Sequence, residues 1–134
     1  MIRKVNHVGL VVRSLEEALD LYVKTFGFKS SEIVAREEMG LRSAMVSLGE
    51  VTFELMEPTE AESALRAFLQ KRGEGVHHVS LEVEDMTEER YLLESKGIQF
   101  LEKKARSVDH SYVSFIHPKS TKGVLFELVQ LIES

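Results

Sequence analysis

The chain has no cysteine, no tryptophan and only two prolines among its 134 residues. Without cysteine it can form neither a disulfide nor a thiolate metal site, and it lacks a thiol nucleophile. Histidine and carboxylate side chains must therefore supply the ligands of any metal site. The sequence also has no apolar run long enough to span a membrane and no apolar signal region at its start. We therefore expect a cytoplasmic protein without a membrane partner.

Charge of one sign is not concentrated in any segment. Seventeen basic and 22 acidic residues are interspersed and give a formal net charge of −5. Nucleic-acid-binding proteins typically carry a basic patch or stripe, so we expect no nucleic-acid partner. With 43% hydrophobic residues, a chain of this length can bury the core of one ordinary domain.

The sequence does contain an internal repeat. The segments 5–12 and 76–83 resemble each other, and so do the segments 51–56 and 124–129, which share Phe-Glu-Leu. His78 follows His7 by 71 residues, and Asp85 follows Ser14 by 71 residues. An almost constant offset over several elements indicates a duplication.

Each copy has the pattern of a strand, a helix and three strands. Ser14 and Asp85 are predicted to begin the two helices, and the first helix is expected to carry an apolar stripe from Leu15 to Phe26. The pattern predicts a single α+β domain over residues 1–134, with two tandem βαβββ modules that form a curled mixed sheet around one metal cleft. Module one covers about 1–58, a connector helix capped by Thr59 covers about 59–73, and module two covers about 74–134.

Four side chains occupy equivalent strand positions in the two copies: His7, Glu54, His78 and Glu127. Strand alternation places His78 on the polar face and its neighbour His77 on the apolar face. A single histidine or glutamate on a strand is usually structural, but two imidazoles and two carboxylates suit Mn²⁺, Co²⁺, Ni²⁺, Fe²⁺ or Zn²⁺ in a six-coordinate site with two open positions. We interpret the four as a metal site. The remaining histidines, His77, His110 and His117, are interpreted as structural or surface residues.

At these residues the chain resembles the vicinal oxygen chelate (glyoxalase/bleomycin resistance/dioxygenase) superfamily, whose paired βαβββ modules hold one divalent metal. Three stretches, 6–12, 71–79 and 117–127, resemble the methylmalonyl-CoA epimerase family within it. The resemblance implies the same four metal ligands. Some epimerases carry a glutamate proposed as a general base where this chain has Ser43.

The resemblance implies that (2R)- and (2S)-methylmalonyl-CoA interconvert by proton transfer at C2, through an enolate stabilised by the metal. Glu54 and Glu127 are the expected bases, one for each face of the planar intermediate. The acyl-CoA substrate would contact three residues of the 117–123 turn: Lys119, Ser120 and Lys122. Co²⁺ is the first choice among the divalent metals, and a homodimer is expected.

Three other functions fit the same scaffold. A glyoxalase I-type lactoylglutathione lyase uses the same metal and proton-transfer chemistry, but the 117–123 turn favours a coenzyme A ester. An extradiol dioxygenase needs two histidines and one carboxylate, and Glu54 would crowd its oxygen site. A drug-binding protein of this fold needs no metal, and fold alone does not fix function.

Overall fold

The computed structural model describes residues 1–132, which form an α+β fold. The three α-helices are α1 (Leu15–Leu19), α2 (Ala64–Arg72) and α3 (Met86–Ser95). The strands are β1 (Ile2–Val11), β2 (Lys29–Ser30), β3 (Val34–Arg36), β4 (Leu41–Leu48), β5 (Val51–Pro58), β6 (Gly75–Val83), β7 (Arg106–Val108), β8 (Ser111–Phe115) and β9 (Phe126–Leu131). The predicted α+β fold class is confirmed.

The chain divides into two compact units. The N-terminal unit contains residues 7–77, and the C-terminal unit contains residues 1–6 and the chain from His78 onward. The first five residues of β1 thus belong to the C-terminal unit, where Asn6 Nδ2 donates to Glu82 Oε1 at 3.0 Å. The duplication seen in the sequence corresponds to two folded units that share strand β1.

In the N-terminal unit the strand order is β2-β4-β5-β1, and β3 also pairs with β4. Strands β1 and β5 are parallel, whereas β4 pairs antiparallel with β5, β2 and β3. Leu10, Val46 and Leu55 pack with Leu15 of α1 in the core on one face. On the opposite face, Val11 packs with residues of α2. Both faces of this sheet are therefore covered near the end of β1.

In the C-terminal unit the order is β6-β9-β8-β7, with β6 and β9 parallel and the other pairs antiparallel. Val83, Ile116 and Leu128 pack with Met86 of α3. The unit thus repeats the arrangement of β1, β5, β4 and α1.

Hydrogen bonds confirm the predicted starts of helices α1 and α3. Ser14 accepts from the amide of Glu17, and Asp85 accepts from the amide of Glu88.

The prediction of one regular helix up to Phe26 is wrong. Helix α1 ends at Leu19 and continues as a π-helical segment, Asp20–Thr25, in which the amide of Phe26 donates to the carbonyl of Leu21. These wider turns accompany the edge-on packing of Tyr22 against the rings of Phe28 and Phe53. They also shift Phe26 out of the apolar stripe, and this residue is 56% exposed.

The predicted helix cap at Thr59 is also wrong. Helix α2 begins at Ala64, and the hydroxyl of Ser63 accepts from the amide of Arg66. The amide of Thr59 instead donates to the carbonyl of Gly40. Where the repeat pattern predicts one strand between the first helix and β4, the chain forms the two short strands β2 and β3. No helix among residues 1–132 is both long enough and apolar enough to cross a membrane.

Candidate active site

The register of two parallel strand pairs positions the candidate ligands. In the N-terminal unit Gly9 of β1 lies opposite Glu54 of β5, and in the C-terminal unit Ser80 of β6 lies opposite Glu127 of β9. The neighbouring Leu55 and Leu128 face the helix-covered cores. Since side chains alternate along a strand, both glutamates project from the opposite face of their sheets.

His7 and Glu54 form a close pair in the N-terminal unit. His7 Nε2 lies 3.4 Å from Glu54 Oε1, and the two side chains are only 9% and 15% exposed. A carboxylate with so little solvent around it is costly unless it has a charged or hydrogen-bonding partner. The pair thus presents an imidazole nitrogen and a carboxylate oxygen next to each other in a largely buried position.

The C-terminal unit contains the equivalent pair. His78 Nε2 lies 3.8 Å from Glu127 Oε1, with side chains 4% and 13% exposed. The ring of Phe115, which lies opposite Glu127 in the β8–β9 ladder, packs edge-on against the His78 imidazole at 5.8 Å. The structure therefore brings each predicted histidine together with its predicted glutamate, once in each unit.

The donor atoms of these pairs fit a divalent metal. Imidazole nitrogen and carboxylate oxygen are ligands of Mn²⁺, Fe²⁺, Co²⁺, Ni²⁺ and Zn²⁺. Each pair has both donor types in a poorly solvated position, where a cation would balance the carboxylate charge. The residues present are therefore suited to metal binding.

His77 has different surroundings from His78. Its ring packs at 4.7 Å, edge to face, on Phe68 of α2. Burial lowers the pKa of His77, and the negative charge of Glu54 partly opposes that effect. These surroundings agree with the prediction that His77 is a structural residue.

The 117–123 turn contains the predicted substrate-binding residues. Residues Pro118–Thr121 form a 3₁₀ turn that ends at Lys122, which has a left-handed φ of 61°. His117 Nδ1 accepts from the amide of Lys119 at 3.1 Å, so His117 stabilises the turn. The Ser120 hydroxyl accepts from the amide of Gln99, while Lys119 and Lys122 are exposed.

Residues that anchor the first amide of a helix to a strand were missed by sequence reasoning. Glu57 accepts from the amide of Leu15 at 2.8 Å, and the equivalent Gln130 accepts from the amide of Met86 at 2.7 Å. Each bond joins the first amide of a helix to the residue three positions after a candidate glutamate. Gln130 follows Glu57 by 73 residues, the same offset as between the two glutamates, so the two occupy equivalent positions, but their residue types differ and identity between the copies does not identify them.

Ser80 was also missed as a site residue, because its counterpart in the repeat is Gly9. Its hydroxyl is completely buried and has no hydrogen-bond partner among the residues that the structure describes. Ser43, where some epimerases carry a glutamate, is 4% exposed. Met45 lies opposite Glu54 on the neighbouring strand, and Ser43 is two residues before Met45 and so projects from the same face. Ala44, between Ser43 and Met45, points into the core on the other face.

Residues 6–115 match the family model of the Glyoxalase/Bleomycin resistance protein/Dioxygenase superfamily. The chain is 37% identical over 129 residues to the mitochondrial methylmalonyl-CoA epimerase of Mus musculus, covering 95% of this chain and 72% of that protein. It is 32% identical to the ethylmalonyl-CoA/methylmalonyl-CoA epimerase of Cereibacter sphaeroides, covering 98% and 100%. A solved methylmalonyl-CoA epimerase in complex with methylmalonyl-CoA and NH₄⁺ superposes with a TM-score of 0.88 at 32% identity, covering 98% and 96%. The chain belongs to the Glyoxalase/Bleomycin resistance protein/Dioxygenase superfamily.

Proposed function

We propose that this protein is a metal-dependent methylmalonyl-CoA epimerase, which interconverts the (2R) and (2S) forms of its substrate. One observation carries the proposal: two buried His–Glu pairs occupy equivalent strand positions in the two units. The 37% identity with the mouse epimerase over 95% of this chain supports the choice of reaction.

The four residues His7, Glu54, His78 and Glu127 would hold one divalent metal together. The duplication supports this assignment, because each unit supplies one nitrogen and one oxygen donor from matching positions. When bound, the metal would supply positive charge that stabilises an enolate of the substrate. Co²⁺ remains our first choice. The donor set also suits Mn²⁺, Ni²⁺, Zn²⁺ and Fe²⁺.

Glu54 and Glu127 would transfer the proton at C2. Inversion at a carbon needs one group that removes the proton from one face and a second that returns a proton to the other face. One carboxylate must then begin ionised and the other protonated, and the two exchange states in each turnover. Their low exposure, 15% and 13%, limits competition from bulk water. Because both also belong to the proposed ligand set, each would have to bind weakly enough to exchange into the base role.

The substrate's coenzyme A portion would contact the 117–123 turn. The exposed Lys119 and Lys122 offer cationic groups for its phosphates. The Ser120 hydroxyl oxygen accepts from the amide of Gln99, so the hydroxyl can donate its proton to the substrate. His117 would act indirectly, by holding the turn through its bond from the amide of Lys119. We also propose that the protein is a homodimer, which follows from the family resemblance. We further propose a cytoplasmic location, with which the absence of cysteine is consistent.

Solvent deuterium exchange tests the assignment. The metal-loaded protein in D₂O should incorporate deuterium at C2 of methylmalonyl-CoA, and both Glu54→Gln and Glu127→Gln should lower the rate by at least about 100-fold, the scale of a general acid–base group. Glu57→Gln provides a matched control, because Glu57 bonds a helix amide and Arg42 rather than a candidate ligand. Undiminished exchange in the Glu127 variant would exclude that residue as a base.

The exchange experiment and two further assays distinguish the functions that this fold can support. If the metal-loaded wild-type protein exchanges no deuterium into methylmalonyl-CoA, the epimerase proposal is wrong. Turnover of a glutathione hemithioacetal would then support the lactoylglutathione lyase. A protein that binds no divalent metal and gains no activity when metal is added would instead support a small-molecule binding protein.

A further inference from the structure

Ser80 combines complete burial with an unused hydroxyl. Its exposed fraction is 0%, and Oγ has no hydrogen-bond partner within residues 1–132. A buried hydroxyl without a partner is less favourable than one whose hydrogen bonds are satisfied. Such a group in a native protein calls for an explanation, and a partner that arrives only with a ligand is one.

The position of Ser80 limits what that partner is. Ser80 lies directly opposite Glu127 in the parallel β6–β9 ladder and two residues after His78. The adjacent Leu81 packs with the core beneath α3, so Ser80 shares the other face with His78 and Glu127. The Glu127 carboxylate is a chemically suitable acceptor on this face, because the strand register makes the two residues neighbours.

A second buried serine shows that the fold satisfies hydroxyls where they are structural. Ser114 is also 0% exposed, but its Oγ accepts from Arg90 and donates to Glu102 Oε1 at 2.9 Å. The repeat offers a further comparison, because the residue opposite Glu54 is Gly9 and has no hydroxyl. The hydroxyl at position 80 is therefore not required by the strand geometry that both units share.

We propose that Ser80 is a positioning residue that donates a hydrogen bond to the Glu127 carboxylate once Glu127 binds a divalent metal. A carboxylate that gives one oxygen to a metal can accept a hydrogen bond at its other oxygen, and such outer hydrogen bonds orient ligands. This inference rests on the proposed metal role of Glu127.

Ser80→Ala tests the proposal through two measurements that should change in opposite directions. In the metal-free protein the variant removes an unsatisfied hydroxyl, so Tm should stay equal or rise by about 2–5 °C. Calorimetric titration with Co²⁺ should show the affinity falling about 10-fold or more, the scale for loss of an outer hydrogen bond to a ligand. A residue that serves only packing would not combine unchanged or higher stability with weaker metal binding.

Ser114→Ala is the matched control, because it removes a buried serine hydroxyl whose bonds are satisfied. It should lower Tm and leave the Co²⁺ affinity within about twofold, well short of the loss expected for a ligand contact. The proposal for Ser80 is overturned if Ser80→Ala binds Co²⁺ as tightly as the wild type, or if its metal-free form is clearly less stable. Wild-type protein that binds no Co²⁺ would overturn the proposed function and this inference together.

Discussion

Among the single residues, His7 and His78 each lie in a largely buried pair with a glutamate. His7 and His78 are identical residues at equivalent positions, so the duplication identifies them without a structure. Ser80 matches a glycine in the repeat, and Gln130 matches a glutamate, so identity between the copies gives no signal there. Their importance depends on contacts between strands and helices that are far apart in sequence.

Glu57 gives a pH-dependent prediction at this scale. Hydrogen bonds from Arg42, with a further bond from the amide of Leu15, lower the pKa of Glu57 from its ordinary value of 4.5. A carboxyl group whose folded-state pKa is lowered stabilises the fold above the unfolded value, and this contribution is lost as pH falls through the folded value. Glu57→Gln should therefore cost about 1.5–3 kcal/mol at pH 7, the scale of hydrogen bonds to a charged group. The difference from the wild type should shrink below about pH 4.5.

Urea unfolding between pH 7 and pH 3 measures this difference. Glu16→Gln is the control, since Glu16 also contacts Arg42 but its side chain is 61% exposed, and it should have the smaller effect. A stability difference between wild type and Glu57→Gln that stays constant down to pH 3 would show that the charge of Glu57 does not contribute.

At the element scale, helix ends depend on which hydroxyl the chain path brings to the free amides. Thr59 and Ser63 both have the side chain of a helix N-cap, and the sequence favours Thr59 because Glu62 follows three residues later. The amide of Thr59 bonds to Gly40, which holds this segment against the turn before β4 and delays the helix to Ala64. A tertiary contact thus overrides the capping pattern at Thr59. In the π-helical segment, the aromatic packing of Tyr22 likewise accompanies a departure from the regular helix.

The caps give a direct comparison of variants. Ser63→Ala removes the acceptor for the amide of Arg66 and should cost about 1 kcal/mol of stability. Thr59→Ala keeps the backbone bond to Gly40 and should cost less than half as much. Thermal unfolding of both variants checks this expectation, and an equal or larger loss for Thr59→Ala would contradict the assignment of Ser63 as the cap.

At the scale of the whole molecule, the duplication accounts for both the fold and the site. Strand β9 repeats β5, and α3 repeats α1, so each unit presents a His–Glu pair by the same register. The sequence could predict this much because matching residues recur at an almost constant offset. It could not predict that residues 1–6 belong with the C-terminal unit, because that depends on contacts made along β1. We propose that both pairs serve one metal.

Calorimetric titration of the metal-free protein with Co²⁺, for the wild type and for His7→Ala and His78→Ala, tests that claim most directly. One shared metal predicts one Co²⁺ per chain in the wild type. Each variant should lose at least about 100-fold in affinity, because each removes a ligand of the same ion. Two Co²⁺ ions per chain, or one ion still bound with full affinity after either substitution, would contradict a single shared site.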